Sequence, residues 1–442
     1  MPNIFAFAMI FLWPIIAILL YKKFDTVTAT FWTIVGGYML LPVNTAIDLP
    51  MIPSIGKDEI SAIAALIGCM VIKHKKIAFF GANNLQKTLI GLLLFIPLLN
   101  VFFNQDPMFN GARWMPGLTL YDAIGQVLAQ YLELLPFVIA ISIVKNIDDL
   151  EKIIRLLVVA GLVYSIPILF EIRISPQLHS WVYGFFPHSF AQQARLGGFR
   201  AAVFMGHGLL VATFCFVCVS AAALHIKIGH PKDKVINVAI FAYLLLVLIL
   251  SKSVGATLLG ILTAGCILFL HTALQKVVAK GLVLIFILYP TLSILDLIPY
   301  EGIVSLIANY SVDRAQSIEF RFMHEAILIE HAFEKFLFGW GSWARNRLAD
   351  SVSDGYWLIV YGTYGICYFY ALFGLFIQPV LNNLKGAVYI KEGVIFVSFS
   401  LILAGVLFDQ IPNSSLGSNW LWFLSGCLAA SLPLKKNKFH VQ

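Results

Sequence analysis

The chain has 442 residues, of which 60% are hydrophobic and only 12% are charged. Soluble domains carry roughly 25% charged residues, so this composition excludes a soluble enzyme and predicts an all-α, polytopic integral membrane protein. The net charge of +7 gives no reason to expect a nucleic-acid partner, because most of it comes from lysines that flank apolar runs.

Apolar runs long enough to span a bilayer as helices, about 20 residues each, recur along the whole chain. We predict twelve to thirteen of them in a single transmembrane domain that covers residues 1–442. A membrane barrel would instead show alternating segments of about ten residues. The predicted spans cover about residues 3–21, 29–46, 59–72, 87–103, 121–144, 150–170, 206–223, 236–250, 254–271, 279–297, 354–380, 393–408 and 418–434.

The predicted loops separate the two kinds of basic residue. Eight of the nine arginines fall on one side of the membrane, and all of the 21 lysines except Lys57, Lys252 and Lys335 fall on the other. Loops rich in positive charge stay in the cytoplasm, and here lysine supplies that charge. The planar guanidinium fork is suited to holding phosphate or carboxylate. We therefore expect an anion-binding site on the outer face.

Two sizeable outer loops are predicted, at residues 171–205 and 298–353. Within the longer loop, residues 311–338 have the pattern of an amphipathic helix that ends at Gly339 and Gly341. An enzyme that acts at the outer face needs such a loop, whereas a transporter rarely does. The predicted apolar face of this helix consists of Ile318, Phe322, Ala326, Ile329 and Phe333.

The first candidate site runs from the shorter loop into the seventh span and contains Arg195, Arg200 and His207. Two glycines between the arginines allow an anion to approach the backbone closely. We interpret the segment as an anion pocket in which Arg200 and His207 are catalytic and Arg195 binds substrate. The alternative is that the arginines anchor the loop at the interface and that His207 only marks a helix end.

The second candidate site is on the helix of the longer loop. Arg314 and Arg321 are seven residues apart, so two helical turns place both on one face, and we expect Arg321 to be catalytic and Arg314 to bind substrate. Glu325 lies one turn beyond Arg321, where it could orient the guanidinium. Ordinary ion pairs on a solvated face are the alternative. His324 and His331 lack the one-turn spacing of paired metal ligands, so we predict no metal site.

The third candidate site follows this helix and enters the eleventh span. Trp340, Tyr356 and Trp357 offer rings that bind sugars, although an aromatic belt at the membrane interface is the alternative for each of them. Arg345 adds a guanidinium that we expect to bind substrate. Asp354 lies at the outer mouth of the span, where a carboxylate is costly unless it is used or paired. We expect Asp354 to act as a general base or to orient an arginine.

In their order and spacing, these segments resemble the bacterial superfamily of O-antigen ligases and polysaccharide polymerases, over about residues 190–380. Residues 195–207 are similar to the family's arginine- and glycine-rich segment, which is followed by a histidine that enters a helix. Residues 251–256 are similar to the motif that opens the family's core region. Val254 stands where the family has arginine, and the nearby Lys252 is a candidate substrate-binding residue.

Two further segments carry the resemblance. Arg321, followed by the turn at residues 338–341, resembles the long-loop arginine helix of the family. Residues 353–357 resemble the start of its next span. Asp354 stands where the ligases have histidine, which favours a polymerase over a ligase.

The resemblance implies a metal-independent transferase without a cofactor, in the inner membrane of a bacterium, with its site facing the periplasm. Its partners would be membrane lipids, a donor oligosaccharide on undecaprenyl diphosphate and an acceptor glycan. A ligase that joins glycan to lipid A-core is one alternative. A transporter of an anionic glycolipid is the other, and it would use Glu133 and Glu171, the main charges in or beside the predicted spans.

Overall fold

The computed structural model describes residues 1–48, 52–195, 197–349, 351–385 and 391–438. Helices make up most of these residues, and two short antiparallel hairpins pair β1 with β2 and β3 with β4. The strands are β1 (Met108–Asn110), β2 (Arg113–Met115), β3 (Ala194–Arg195) and β4 (Gly198–Phe199). The helices are α1 (Ile4–Lys23), α2 (Thr26–Leu40), α3 (Lys57–Ile67), α4 (Asn84–Phe102), α5 (Leu120–Ile143), α6 (Ile147–Ile174), α7 (Leu178–Tyr183), α8 (Gly208–Ile228), α9 (Lys234–Leu250), α10 (Val254–Phe269), α11 (Thr272–Ile294), α12 (Tyr300–Ala308), α13 (Val312–Phe333), α14 (Tyr356–Leu384), α15 (Lys391–Asp409) and α16 (Asn419–Lys438).

Each predicted span overlaps one helix, namely α1 to α6, α8 to α11 or α14 to α16. Among the described residues, eight helices are long and apolar enough to cross a membrane, and α10 and residues 393–409 of α15 are shorter apolar helices. The prediction of an all-α, polytopic membrane protein is therefore confirmed. The short third span is α3, which continues into a π-helical turn over Gly68–Ile72.

The helix bundle has two ends with different polar contacts. At one end, the Lys152 ammonium lies 3.1 Å from the Asp25 carboxylate, and Lys227 Nζ donates to the carbonyl of Ile267. At the other end, Asn419 Nδ2 donates to the carbonyl of Asp58, and the long loop packs on the helix ends. We call these the lysine end and the arginine end, since the long loop carries four arginines.

Close helix approach supplies the packing in the interior. Helix α8 is buried along most of its length and contacts α6, α9 and α10, while α16 packs along α5. Gly426 of α16 makes that second contact possible, because a Cβ there would lie 2.4 Å from the Phe137 carbonyl oxygen. Association through small residues is expected between helices in lipid, where burial of apolar surface gives no driving force.

The long loop contains α12, which the sequence did not predict, and α13. Helix α13 begins after Ser311 as predicted but ends at Phe333, five residues before the predicted end. Of the predicted apolar face, Ile329 is buried and Ala326 and Phe333 are exposed, while Leu328 and Ala332 are buried beside it.

The glycine turn after α13, at residues 338–341, forms backbone hydrogen bonds with α14. Gly339 and Gly341 have positive φ angles of 70° and 86°, but α13 already ends at Phe333, so they form a turn instead of ending the helix as predicted. The amide of Gly341 donates to the carbonyl of Thr363, 2.8 Å away. Helix α14 is not the continuous helix that we predicted, because it is kinked at Gly365, whose φ is 79°. The kink allows the Ile366 amide to donate to the Phe336 carbonyl, and so fixes the loop on the bundle.

Candidate functional site

An ion pair between Arg321 and Asp354 lies at the arginine end. Arg321 Nε is 3.2 Å from Asp354 Oδ2, and Arg321 Nη1 donates to the carbonyl of Pro412 at 3.0 Å. Helix α13 supplies the arginine, and the aspartate directly precedes α14. Both side chains are part-exposed, at 30% and 40%, so the guanidinium is held in place while it stays accessible to an anion.

Asp409, the last residue of α15, lies near this pair. It is buried, and its two carboxylate oxygens accept hydrogen bonds from Asn413 Nδ2 at 2.8 Å and from Thr213 Oγ1 at 3.2 Å. The charge of Arg321 acts on this carboxylate. The sequence analysis missed Asp409, although the signal was the same as for Asp354, a carboxylate at the outer mouth of a predicted span.

Arg200 lies against the first turn of α8. Its side chain is only 2% exposed, and its backbone amide donates to the carbonyl of Gln193 at 2.8 Å. The amide oxygen of Gln193 accepts from the backbone amide of Gly208 at 3.3 Å. A Cβ on Gly208 would lie 3.0 Å from the Arg200 Cβ and 3.2 Å from its Nε, so only glycine fits there without a shift.

His207 precedes α8 as its N-cap residue. Its Nδ1 accepts a hydrogen bond from the Leu209 amide at 3.1 Å, and the ring packs edge-on against His188 with centroids 4.7 Å apart. His207 therefore caps the start of α8, in agreement with the alternative interpretation. It also directly precedes Gly208, the glycine that packs against Arg200.

Lys252 reaches the hairpin of β3 and β4 from the turn between α9 and α10. A Cβ on Gly198 would lie 2.2 Å from the Lys252 ammonium, so the lysine packs directly on the hairpin backbone. The backbone of Arg195 forms part of β3, and its side chain lies outside the described part of the structure. Segments that are more than 50 residues apart in sequence thus meet beside Arg200.

Helix α8 joins these two groups of residues. Gly208 contacts Arg200, and Thr213, five residues later, binds Asp409. Five residues correspond to a rise of about 7.5 Å along a helix. Helix α8 therefore holds one residue of each group within its first two turns, at the arginine end.

Glu171 and Glu133 both have structural partners. Glu171 Oε2 accepts hydrogen bonds from the amides of Ala202 and Val203, each at 2.8 Å, and Oε1 accepts from the Leu178 amide at 2.9 Å. This carboxylate fixes the loop that carries Arg200. Glu133 is half-buried among α5, α14 and α16, and its Oε1 accepts from Tyr356 and Trp422.

Of two expectations for α13, the one for Glu325 is wrong and the one for Arg314 stays a prediction. Glu325 does not orient Arg321. Its Oε1 accepts from the hydroxyls of Tyr289 and Ser293 on α11, both at 2.8 Å, and burial raises the pKa of the Glu325 carboxyl. The orienting carboxylate is Asp354. Arg314 lies two turns before Arg321 and joins no ion pair among the described side chains.

Three residues that were predicted to bind substrate, Trp340, Arg345 and Trp357, are buried in the protein. Trp340 is buried, donates to the His331 carbonyl at 2.7 Å, and stacks on the His331 ring. Arg345 is 2% exposed and donates to the carbonyls of Pro116 and Asp106. Trp357 is fully buried. Their buried surfaces leave Tyr356 as the part-exposed aromatic residue of the third candidate site.

Within the described residues, no group of three His, Cys, Asp or Glu side chains comes together as metal ligands. A comparison with protein-family models gave no match, and a search of characterised proteins found no relative. The functional assignment therefore depends on the residues and geometry given above.

Proposed function

We propose that this protein is a polysaccharide polymerase that transfers a glycan from undecaprenyl diphosphate to a sugar hydroxyl of the acceptor glycan. The observation that carries the proposal is the ion pair that holds Arg321 at the arginine end. A fixed, part-exposed guanidinium group at one end of a membrane bundle is suited to a diphosphate substrate.

The chemistry follows from where charge develops. The acceptor oxygen forms a bond to the anomeric carbon as the bond from that carbon to the diphosphate oxygen breaks, and the leaving diphosphate gains negative charge. Guanidinium groups fixed at that position stabilise the transition state more than the ground state. Arg321 serves this role and Asp354 keeps it in place, while Arg314, Arg195 and the buried Arg200 add positive charge at the same end of the bundle.

The orientation in the membrane follows from the lysines. Positive charge is retained on the cytoplasmic side, so the lysine end faces the cytoplasm and the arginine end faces the periplasm of a bacterial inner membrane. A ligase would use the same donor with lipid A-core as the acceptor. A transporter needs a polar path, but the carboxylate of Glu171 already accepts three backbone hydrogen bonds.

The proposal is tested by complementation of a deletion strain with Arg321→Lys and Asp354→Asn, with membrane expression checked and polymer length read on a gel. Lysine keeps the charge but loses the fork, and removal of one such transition-state donor costs about 10²–10³ in rate. We expect single repeat units to accumulate in both variants. Arg347→Lys is the matched control, because Arg347 is an exposed arginine of the same loop.

The other outcomes of this assay separate the alternatives. Full-length chains left on the carrier lipid would identify a ligase. Loss of all outward-facing units would identify a transporter. Normal polymer in Arg321→Lys would remove the catalytic assignment.

A further inference from the structure

The carboxylate of Glu133, on α5, lies toward the arginine end of the bundle, beside the first turns of α14 and α16. Its Oε1 accepts hydrogen bonds from the Tyr356 hydroxyl at 2.9 Å and from Trp422 Nε1 at 3.3 Å. Its Oε2 makes no hydrogen bond with the described residues, and the residue is half-buried. A carboxylate inside a spanning helix is costly unless it is used. Glu133 is thus held through one of its two oxygens.

Three other carboxylates at this end, Asp354, Asp409 and Glu171, already have partners. Asp354 is paired with Arg321, so its charge is engaged by the guanidinium. Both oxygens of the buried Asp409 accept hydrogen bonds. Both oxygens of Glu171 do so as well. Glu133 differs from Asp354 because it forms no ion pair with the described residues, and from Asp409 and Glu171 because one of its oxygens has no hydrogen bond with them.

Tyr356 links Glu133 to the ion pair. It binds Glu133 directly and follows Asp354 by two residues, and two residues of chain span at most about 7 Å. Glu133 is therefore connected to the ion pair through one hydrogen bond and two residues of chain. The groups that face Glu133 are on three helices. They are Asp58 and Glu59 of α3, Tyr356, Tyr364 and Tyr368 of α14, and Trp422 of α16.

We infer that Glu133 is the general base of the transfer. Its carboxylate takes the proton of the acceptor hydroxyl while that oxygen bonds to the anomeric carbon. The electron pair of the broken bond leaves with the diphosphate oxygen, and the proton passes from Glu133 to water afterwards. The inference rests on the proposed function and assigns to Glu133 the step that Asp354, paired with Arg321, is not free to perform.

The test uses the purified full-length chain in lipid nanodiscs with the undecaprenyl-diphosphate-linked repeat unit extracted from the deletion strain. Turnover and donor binding are measured separately for wild type and Glu133→Gln. The amide keeps an acceptor for Tyr356 but cannot take a proton, so turnover falls by about 10²–10⁴-fold while donor binding is unchanged. Wild-type kcat/KM falls toward acid pH, and the variant loses this pH dependence.

Glu325→Gln is the matched control, because Glu325 is another buried carboxylate that accepts from a tyrosine and a second donor. Its turnover stays close to wild type. Near-normal turnover in Glu133→Gln, or loss of donor binding together with turnover, overturns the inference. If that variant does not accumulate, Tyr356→Phe decides the question. Loss of its hydroxyl shifts the acid limb of the pH profile, and an unchanged limb overturns the inference. No turnover in wild type would contradict the proposed function itself.

Discussion

At the scale of single residues, Gly208 controls the position of Arg200. A Cβ there would come within 3.0–3.2 Å of the arginine side chain and within 2.8 Å of Gln193 Oε1, so Gly208→Ala displaces both. A shift of about 1 Å can cost 10²-fold in rate, and we expect a polymerisation defect of about that size without loss of the folded protein. Polymer length in the complemented strain measures the effect.

Gly265 of α10 is the control for this substitution. No atom lies within 4 Å of a Cβ built there, so Gly265→Ala is tolerated and gains up to about 1 kcal/mol from the better helix propensity of alanine. Equal activity of the two alanine variants would show that the contact between Gly208 and Arg200 has no role in catalysis.

The predictions of which groups would pair with single residues had different outcomes, and each outcome has a physical reason. Arg321 and Asp354 were recognisable because a charge beside an apolar run is visible in the sequence. The predicted contact of Glu325 with Arg321 was wrong because helical spacing describes only neighbours on the same helix. In the folded protein α13 packs against α11, and two hydroxyls of α11 donate hydrogen bonds to this carboxylate.

At the scale of elements, Glu325 fastens α13 to α11. Burial raises the pKa of its carboxyl, so the folded protein binds this proton more tightly than the unfolded chain does. Stability from this group is therefore present at acid pH and is lost as the pH rises through the raised pKa. Glu325→Gln should unfold at a higher temperature than wild type at pH 8.

The difference between Glu325→Gln and wild type should vanish below the ordinary glutamate pKa of about 4.3, where the unfolded carboxyl is also protonated. Thermal unfolding of the two proteins in detergent at several pH values measures it. A difference that is constant with pH would mean that the carboxyl does not change its protonation on folding.

The contacts of α14 depend partly on local sequence and partly on tertiary packing. The glycines at 339 and 341 indicated a turn, because left-handed backbone favours glycine. The kink at Gly365 was not predicted, since nothing near it in sequence requires one. The turn after α13 pairs with α14 across this kink, and a Cβ on Gly365 would lie 2.3 Å from the Leu337 backbone.

At the scale of the whole molecule, the separation of lysine from arginine predicts the orientation. In a chain whose six cysteines are replaced, Tyr310→Cys at the arginine end and His230→Cys at the lysine end provide exposed labelling sites. A membrane-impermeant maleimide added to cells with a permeabilised outer membrane should label Tyr310→Cys. His230→Cys should react only after the inner membrane is opened. The reverse pattern would place the arginines in the cytoplasm and contradict the proposed periplasmic site.

The sequence by itself determined the class of protein and its apolar helices, and it predicts the side of the membrane on which each charge lies. Hydropathy and charge act on single residues and short runs, so these properties can be read locally. Only the tertiary structure decided that Asp354 holds Arg321, that Asp409 joins them, and that α8 brings the first loop beside the second. These contacts join residues far apart in sequence, and their geometry depends on how the helices pack against each other.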